Sequence, residues 1–536
     1  MIMQCFQWSI LMLVLSSFLF VSLIINCFTT GRAKRPNIII FYADDLGYGD
    51  LEPYGHPTSS TPNLGRLAAG GIVLTQFYSS SPVCSPSRAA LLTGRYQMRS
   101  GVYPHVFNVE MSGGLPLNET LISKMLKPEG YRSAAVGKWH LGLGNNSVYL
   151  PNNHGFDEFL GLPASPSQCR CSVCFYPNVT CHRAPCSPEY SPCALFNGTT
   201  IIEQPVDLLT LDDKYVMQSR HFIRTNVGTG TPFFLYYASQ HTHHPQYAGK
   251  ETSGTSIRGR FGDSLAALDW EVGQIYEELK ENGILEDTFF LFSADNGPSL
   301  SFENFGGNAG LMKCGKATTY EGGMRVPAIV HWPGQITPGR SMELSSTLDV
   351  LPTIASITNA KLPNVTLDGY DMSPFLFQGM PSLRESFFYY PADVDTEHKS
   401  YAVRYKQYKA VFYTAGSVLS NNKNKDIDCR GTSLRTYHDP PMLFDLEQDP
   451  SEQYNLSINH SPEKDIVLKL TKMRADFDAK MVFAPSEMNK PRDKNLMPCC
   501  NRGCSPYPSC CHCISSAPRA NNDPLALYKK PMEKII

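Results

Sequence analysis

The chain has 536 residues, 42% of them hydrophobic and 18% charged, with a net charge of −2. That composition is globular, and the length exceeds what one core usually serves, so two domains are expected. With neither a polybasic patch nor an acidic tail, the charge gives nucleic-acid binding no support, and any anion site must be local.

The chain opens on an almost wholly apolar run, residues 9–25, followed by Asn26 and the basic Gly31-Arg32-Ala33-Lys34-Arg35. This reads as a signal peptide within residues 1–28, although its first residues carry no Lys or Arg. The alternative is a signal anchor. No later stretch approaches a membrane span, so no stable span is expected after cleavage. Asn-x-Ser/Thr acceptors at Asn118, Asn145, Asn178, Asn197, Asn364, Asn455 and Asn459 fit the secretory pathway.

Residues 37–43, Asn-Ile-Ile-Ile-Phe-Tyr-Ala, form a continuous apolar run that predicts a strand buried on both faces. It ends at Asp44-Asp45-Leu46-Gly47. Thr61-Pro62 opens a short helix through Ala69, stopped by Gly70-Gly71. Cys84-Ser85-Pro86-Ser87-Arg88 then begins a helix with Ala89, Leu92 and Tyr96 at helical spacing. Pro86 suits its first turn, which places Cys84 at the N-terminus, where free N–H groups favour an anion. Arg88 lies one turn on, on the same face. A short helix is expected at 121–127 and a strand at 131–136, ending at Gly137-Lys138-Trp139-His140. Residues 163–193 are Cys- and Pro-rich loop. A helix over 214–226 precedes a third buried strand, 232–238, which ends at His241-Thr242-His243-His244. A long amphipathic helix over 261–281 precedes a fourth strand, 288–293, which ends at Asp295-Asn296-Gly297. Buried strands alternating with helices imply a largely parallel sheet in an α/β domain. Beyond about Pro374 the texture changes. Half-exposed strands over 401–413 and 442–445 and a helix over 467–481 suggest a smaller α+β domain closed by a Cys-rich tail.

Of 17 cysteines, Cys5 and Cys27 lie in or beside the signal. Six cluster at Cys169, Cys171, Cys174, Cys181, Cys186 and Cys193, and six at Cys499, Cys500, Cys504, Cys510, Cys511 and Cys513. If each cluster closes on itself, Cys314 and Cys429 remain to pair and Cys84 is left over. Cys-x-x-Cys spacing also occurs in zinc sites, but even counts in a secreted chain favour disulfides.

Polar groups recur at the C-terminal ends of the four buried strands, where open α/β sheets bind ligands. Each is ordinary alone: Asp-Asp-Leu-Gly and Asp-Asn-Gly are common turns, and a lone His is more often a surface or core residue. Four in a row are harder to dismiss. Asp44, Asp45, Asp295 and Asn296 offer oxygen ligands, which suit Ca²⁺ or Mg²⁺ rather than zinc. Arg88, Lys138, His140, His243 and Lys316 are cationic or can become so, and suit a tetrahedral oxyanion such as sulfate or phosphate.

The Cys84-x-Pro86-Ser87-Arg88 stretch with Leu92-Thr93-Gly94-Arg95, the strand-end motifs and Gly315-Lys316-Ala317-Thr318-Thr319-Tyr320-Glu321-Gly322-Gly323 resemble the type I sulfatases, in particular the arylsulfatases. The resemblance covers essentially the whole chain after Arg35. It implies an alkaline-phosphatase-like α/β sandwich over residues 36–375, with a large mostly parallel sheet flanked by helices. Residues 376–536 would form the smaller α+β domain with an antiparallel sheet. It implies hydrolysis of sulfate esters: aryl sulfates in vitro, a sulfated glycolipid or glycan in vivo. In the family the cysteine is oxidised to Cα-formylglycine by a formylglycine-generating enzyme, and the aldehyde hydrate attacks sulfur. Carried over, the metal set is Asp44, Asp45, Cys84, Asp295 and Asn296, holding Ca²⁺ with Mg²⁺ as the alternative. His243 and Lys316 would protonate the leaving oxygen, His140 would act as base, and Arg88 and Lys138 would hold the charge. Lys138, Ser165, His243 and Lys316 would contact substrate. A lysosomal or extracellular homo-oligomer is implied. One departure concerns the rim, where the arylsulfatase pattern Tyr-Ser-His is replaced by Ala164-Ser165-Pro166. The rival expectations are a phosphatase or phosphodiesterase of the same superfamily fold, and a non-catalytic secreted sulfate-binding or matrix protein.

Overall fold

A computed structural model describes residues 35–169, 174–177, 190–419, 424–456 and 461–514. The expected signal segment lies outside the described residues, as do Cys171, Cys181, Cys186, Asn178 and Asn459. No helix among the described residues is long and apolar enough to cross a membrane.

The large sheet has eleven strands: β1 (Asn37–Ala43), β2 (Ile72–Leu74), β3 (Arg132–Lys138), β4 (Glu158–Leu162), β5 (Leu195–Asn197), β6 (Thr200–Gln204), β7 (Phe233–Ala238), β8 (Thr288–Ala294), β9 (Ala328–His331), β10 (Gly339–Ser341) and a last short strand, Cys513–Ile514. Its order runs β10-β2-β9-β8-β1-β7-β3-β4-β5-β6 and then the last strand. The centre is parallel: β1 pairs with β7 and β8, β7 with β3, and β3 with β4. β9 runs antiparallel to β8, and β5 to β4. Every residue of β1, β7 and β8 is buried, because both faces at the centre are covered.

The longer helices among the described residues are α1 (Pro62–Ala69), α2 (Cys84–Thr93), α3 (Leu211–Thr229), α4 (Gly259–Glu281), α5 (Val350–Thr358) and α6 (Glu463–Lys480). α3 packs on α4, and α2 on α5. α2 is buried at all ten positions, so it is an interior helix rather than an amphipathic cover. Gly94, in the left-handed region at φ 68°, closes it by donating its N–H to Ala90 O.

The second sheet is antiparallel: β11 (Ser386–Tyr389), β12 (Ala402–Tyr405), β13 (Tyr408–Thr414) and β14 (Thr436–Asp445). The expected strand over 401–413 is a hairpin, turning at Lys406, which adopts φ 53°. This sheet and α6 share an aromatic core with the end of α2. Tyr96 OH donates to Phe388 O at 3.1 Å, and Phe388 stacks on Phe477 with ring centroids 3.7 Å apart. At the same seam Lys409 is buried between Glu321 and Glu452, at 3.1 and 2.8 Å.

The disulfides follow the cluster arithmetic. Cys169 bonds Cys193, Cys314 bonds Cys429, and the tail pairs internally as Cys499–Cys511, Cys500–Cys513 and Cys504–Cys510. Among the described cysteines only Cys84 is free.

Candidate active site

The strand order β8-β1-β7-β3 sets four chain ends side by side, and each runs directly into polar residues. The ladder continues past the strands. Asp44 N donates to His241 O at 2.8 Å, Thr242 N to Asp44 O at 2.7 Å, and Asp295 N to Ala43 O at 3.1 Å. Asp45 N also donates to Asp295 Oδ1 at 3.2 Å. Two of the side chains delivered there stand on left-handed backbone, Asp45 at φ 56° and His140 at φ 59°. Such conformations cost about 1 kcal/mol or more and cluster where the surrounding structure fixes a functional geometry.

The ten other site residues expected from the sequence converge around Cys84, which is 1% exposed. Its Sγ lies 3.5 Å from Asp44 Oδ1 and 3.5 Å from Lys316 Nζ. Lys316 Nζ donates to Asp45 Oδ1 at 2.6 Å, and Lys138 Nζ to Asp44 Oδ2 at 2.6 Å. Arg88 reaches from the next turn of α2 and donates to Asp295 Oδ2 through Nε (3.0 Å) and Nη2 (2.7 Å). Both side chains are fully buried, and removing one partner of such a pair costs about 3–5 kcal/mol because it leaves the other charge buried and uncompensated. Asn296 Nδ2 donates to Asp45 Oδ1 at 2.8 Å. Lys316 is held by its backbone: Lys316 N donates to Pro298 O, and Ser417 Oγ donates to Lys316 O at 2.9 Å. The Cys314–Cys429 bond anchors the same loop to the C-terminal part of the chain.

The hydrogen bonds fix the histidine tautomers. His140 Nε2 faces the carbonyl of Phe107 at 3.0 Å, which can only accept, so Nε2 carries the proton. Its Nδ1 is buried with a free lone pair. His243 Nδ1 likewise donates to His244 O at 2.6 Å, leaving Nε2 to face Lys316 Nζ and Ser165 Oγ, each at 3.3 Å.

Protonation follows from burial and charge. Burial pushes the Asp44 carboxyl up, but Lys138, His243 and Arg88 outweigh it and hold it at about 2. Burial opposes ionisation of Asp45 too, and Lys316 and His243 bring it below the usual range. Burial, then Lys138 and Arg88, drive His140 far below an ordinary imidazole, so it is neutral. Burial also lowers His243, against the pull of Asp45 and Asp44. Burial and the Asp295 charge push the Cys84 thiol well up despite Lys138 and Lys316. As a thiol it is therefore a poor nucleophile.

The acid set fits a hard cation. Three carboxylates and an amide converge from β1 and β8, and Asp45 Oδ2 and Asn296 Oδ1 are buried with no hydrogen-bond partner. Oxygen donors left unpaired in a buried site suit Ca²⁺ or Mg²⁺.

Above this floor opens a cavity of about 750 Å³. Its lining includes His244, from the end of β7, and residues not singled out from the sequence: His105, Asn108, Gln168, Phe175 and Phe302. His244 stacks on Phe302 with centroids 4.0 Å apart, and Phe302 is 41% exposed. An aromatic ring and an imidazole thus stand at the mouth although the expected rim lacks them. Behind the floor, a second buried group also lacked a signal. His241 pairs with Asp212 Oδ1 (3.1 Å) and Ser264 Oγ (2.7 Å), and Ser239 Oγ donates to Glu271 at 2.6 Å.

The family model described as Sulfatase matches residues 36–360, and that of the C-terminal region of aryl-sulfatase matches 382–513. The chain is 46% identical to arylsulfatase A of Bos taurus over 492 residues, 91% of this chain and 97% of that one. It is 46% identical to arylsulfatase A of Homo sapiens, over 90% and 96% of the two chains. Identity to N-acetylgalactosamine-6-sulfatase of Rattus norvegicus is 37%, over 86% and 88%. Among solved structures, a sulfatase from Pseudoalteromonas sp. superposes with a TM-score of 0.73 at 27% identity, covering 86% of this chain and 92% of that one.

Proposed function

The chain belongs to the sulfatase family and is a sulfuric ester hydrolase, and from that premise we propose that it works through residue 84 as Cα-formylglycine with one bound Ca²⁺. The observation that carries this reading is an unpaired, buried cysteine between Asp44 and Lys316, in surroundings that suppress its thiolate. Oxidised to the aldehyde and hydrated, the side chain supplies one hydroxyl to attack sulfur and a second whose deprotonation releases sulfate. Asp44, Asp45, Asp295, Asn296 and residue 84 would hold the cation, which would supply polarisation of a sulfate oxygen and offset the three carboxylates.

The chain's own groups do the rest. Asp295, oriented by Arg88, takes the proton of the attacking hydroxyl. Lys138 and Arg88 supply fixed positive charge where the sulfate oxygens gather. Lys316, 3.3 Å from His243 Nε2, supplies the proton for the departing oxygen, which His243 relays once Nε2 has taken it up, and Ser165 orients His243 and meets the substrate. His140 offers its free Nδ1 as the base for the release step, its tautomer set by Phe107. The natural ester is a sulfated glycolipid or glycan. A secretory-pathway protein, lysosomal or extracellular, is supported by the disulfides and by Asn118, Asn145, Asn197, Asn364 and Asn455, all exposed.

The test is mass spectrometry of the peptide containing residue 84 from active protein, beside assays on aryl sulfate and aryl phosphate. A formyl group at 84 and a strong preference for sulfate are expected. An intact thiol in fully active protein overturns the nucleophile.

A further inference from the structure

The catalytic cavity continues beyond the reacting atom. Its wall at Asn108 and Gln168 is shared with a second groove of about 510 Å³, lined also by Glu110, Arg492 and Lys494. The two amides are bonded to each other, Gln168 Nε2 donating to Asn108 Oδ1 at 2.9 Å. Whichever amide donates, the pair keeps a carbonyl oxygen and N–H groups that this bond does not use. The spare oxygen here, Gln168 Oε1, is buried without a hydrogen-bond partner. An unpaired buried acceptor calls for a ligand or water, and a sugar hydroxyl is a donor suited to it.

The far side of the groove comes from the other end of the chain. Residues 491–493 run alongside 110–112: Ser112 N donates to Pro491 O at 3.1 Å, and Asp493 N to Glu110 O at 2.8 Å. That pairing brings Arg492 and Lys494 to the groove. Arg492 Nη1 lies 3.4 Å from Glu110 Oε1, while Lys494 has no acidic partner among the described residues. Two cations against one carboxylate leave a net positive wall.

We propose that this groove is a second subsite and that the substrate is an acidic oligosaccharide. Its sulfated terminal sugar enters the catalytic cavity, the Asn108–Gln168 pair binds hydroxyls at the junction, and an anionic group on the next sugar meets Arg492 and Lys494. The inference rests on sulfate-ester hydrolysis at residue 84 and names the substrate class of that site.

Three substrates test it on the full-length protein: nitrophenyl sulfate, a monosulfated disaccharide, and the same disaccharide with a second sulfate on the neighbouring sugar. The doubly sulfated form is expected to have about three- to tenfold higher kcat/KM, since an exposed, charge-assisted contact contributes about that much. The ratio should shrink as salt rises. It should fall to about one in an Arg492→Ala, Lys494→Ala variant and persist in Lys494→Arg. Because the ratio is read within each protein, a general loss of folding cancels. Equal kcat/KM for the two disaccharides in the parent protein overturns the subsite, as does an unchanged ratio in the double variant. Hydrolysis of nitrophenyl sulfate without that preference sinks the subsite alone, whereas no hydrolysis of it sinks the reading of the catalytic site.

Discussion

The floor and the mouth of the catalytic cavity are built by opposite means. The floor is delivered by the ends of β1, β3, β7 and β8 and the first turn of α2. Its charges are buried and paired, as in Arg88–Asp295 and Lys138–Asp44. The mouth comes from irregular segments, including Phe302, His244, Asn108, Gln168 and the 492–494 stretch, with exposed rings and half-paired charges. Rigid, desolvated groups fix a chemistry; exposed loop groups choose what is brought to it. Substitutions in the two regions should therefore fail differently.

The largest effect is expected at the floor. Cys84→Ala should lower aryl sulfate turnover by at least about 10⁴-fold while circular dichroism and Tm stay near those of the parent. Equal activity in that variant would refute the role of residue 84. Dialysis against a chelator should remove activity by at least about 100-fold and leave the fold intact, with Ca²⁺ restoring it better than Mg²⁺; full activity after exhaustive chelation breaks the metal assignment. A Cys314→Ser, Cys429→Ser variant tests how the floor is braced. It should lose about 2–4 kcal/mol in urea unfolding and show reduced kcat, because the loop bearing Lys316 loses its tether. At the mouth, Phe302→Ala should raise KM for aryl sulfate about two- to tenfold with little change in kcat, the size expected of one aromatic contact. A kcat effect as large as the KM effect would erase the distinction between floor and mouth.

A last effect, read as a pH slope and not as a change in activity, concerns the group behind the floor. Burial and the neighbouring Asp212 charge raise the Glu271 carboxyl from 4.5 to about 8 in the native protein. Between those values the folded state holds a proton that the unfolded chain has lost. Stability is therefore full below pH 4.5 and declines as pH rises through about 8. Glu271→Gln should flatten that slope in urea unfolding followed across the same range; an unchanged slope rules the group out.

What was legible in the sequence divides along the same line. β1, β7 and β8 are readable because burial on both faces demands unbroken apolar runs, and the polar pairs that follow mark where those runs end. Cys84, Arg88 and Lys316 are readable from long local motifs. The hairpin at 402–414 is not, because its turn uses Lys406 in place of Gly or Asn. α5 is hidden by Pro352 and by burial of seven of its nine residues, which leaves little polar face. Asn108, Gln168 and Phe302 belong to no period; only tertiary structure brings Gln168 to Asn108, and Phe302 to His244. His241 was masked by His243 two residues on, though its carbonyl is what Asp44 bonds.

Cys84 is 1% exposed, at the floor of the cavity and beside the loop of Lys316, which is fastened to Cys429. If, as proposed, another enzyme oxidises this thiol, it must reach it before the fold closes around it. Its access lasts only until the later half of the chain arrives. At ribosomal speed that interval is on the order of tens of seconds. The fraction of active molecules is then set by a race between oxidation and closure, so a variant that folds faster could be better packed and yet less often armed.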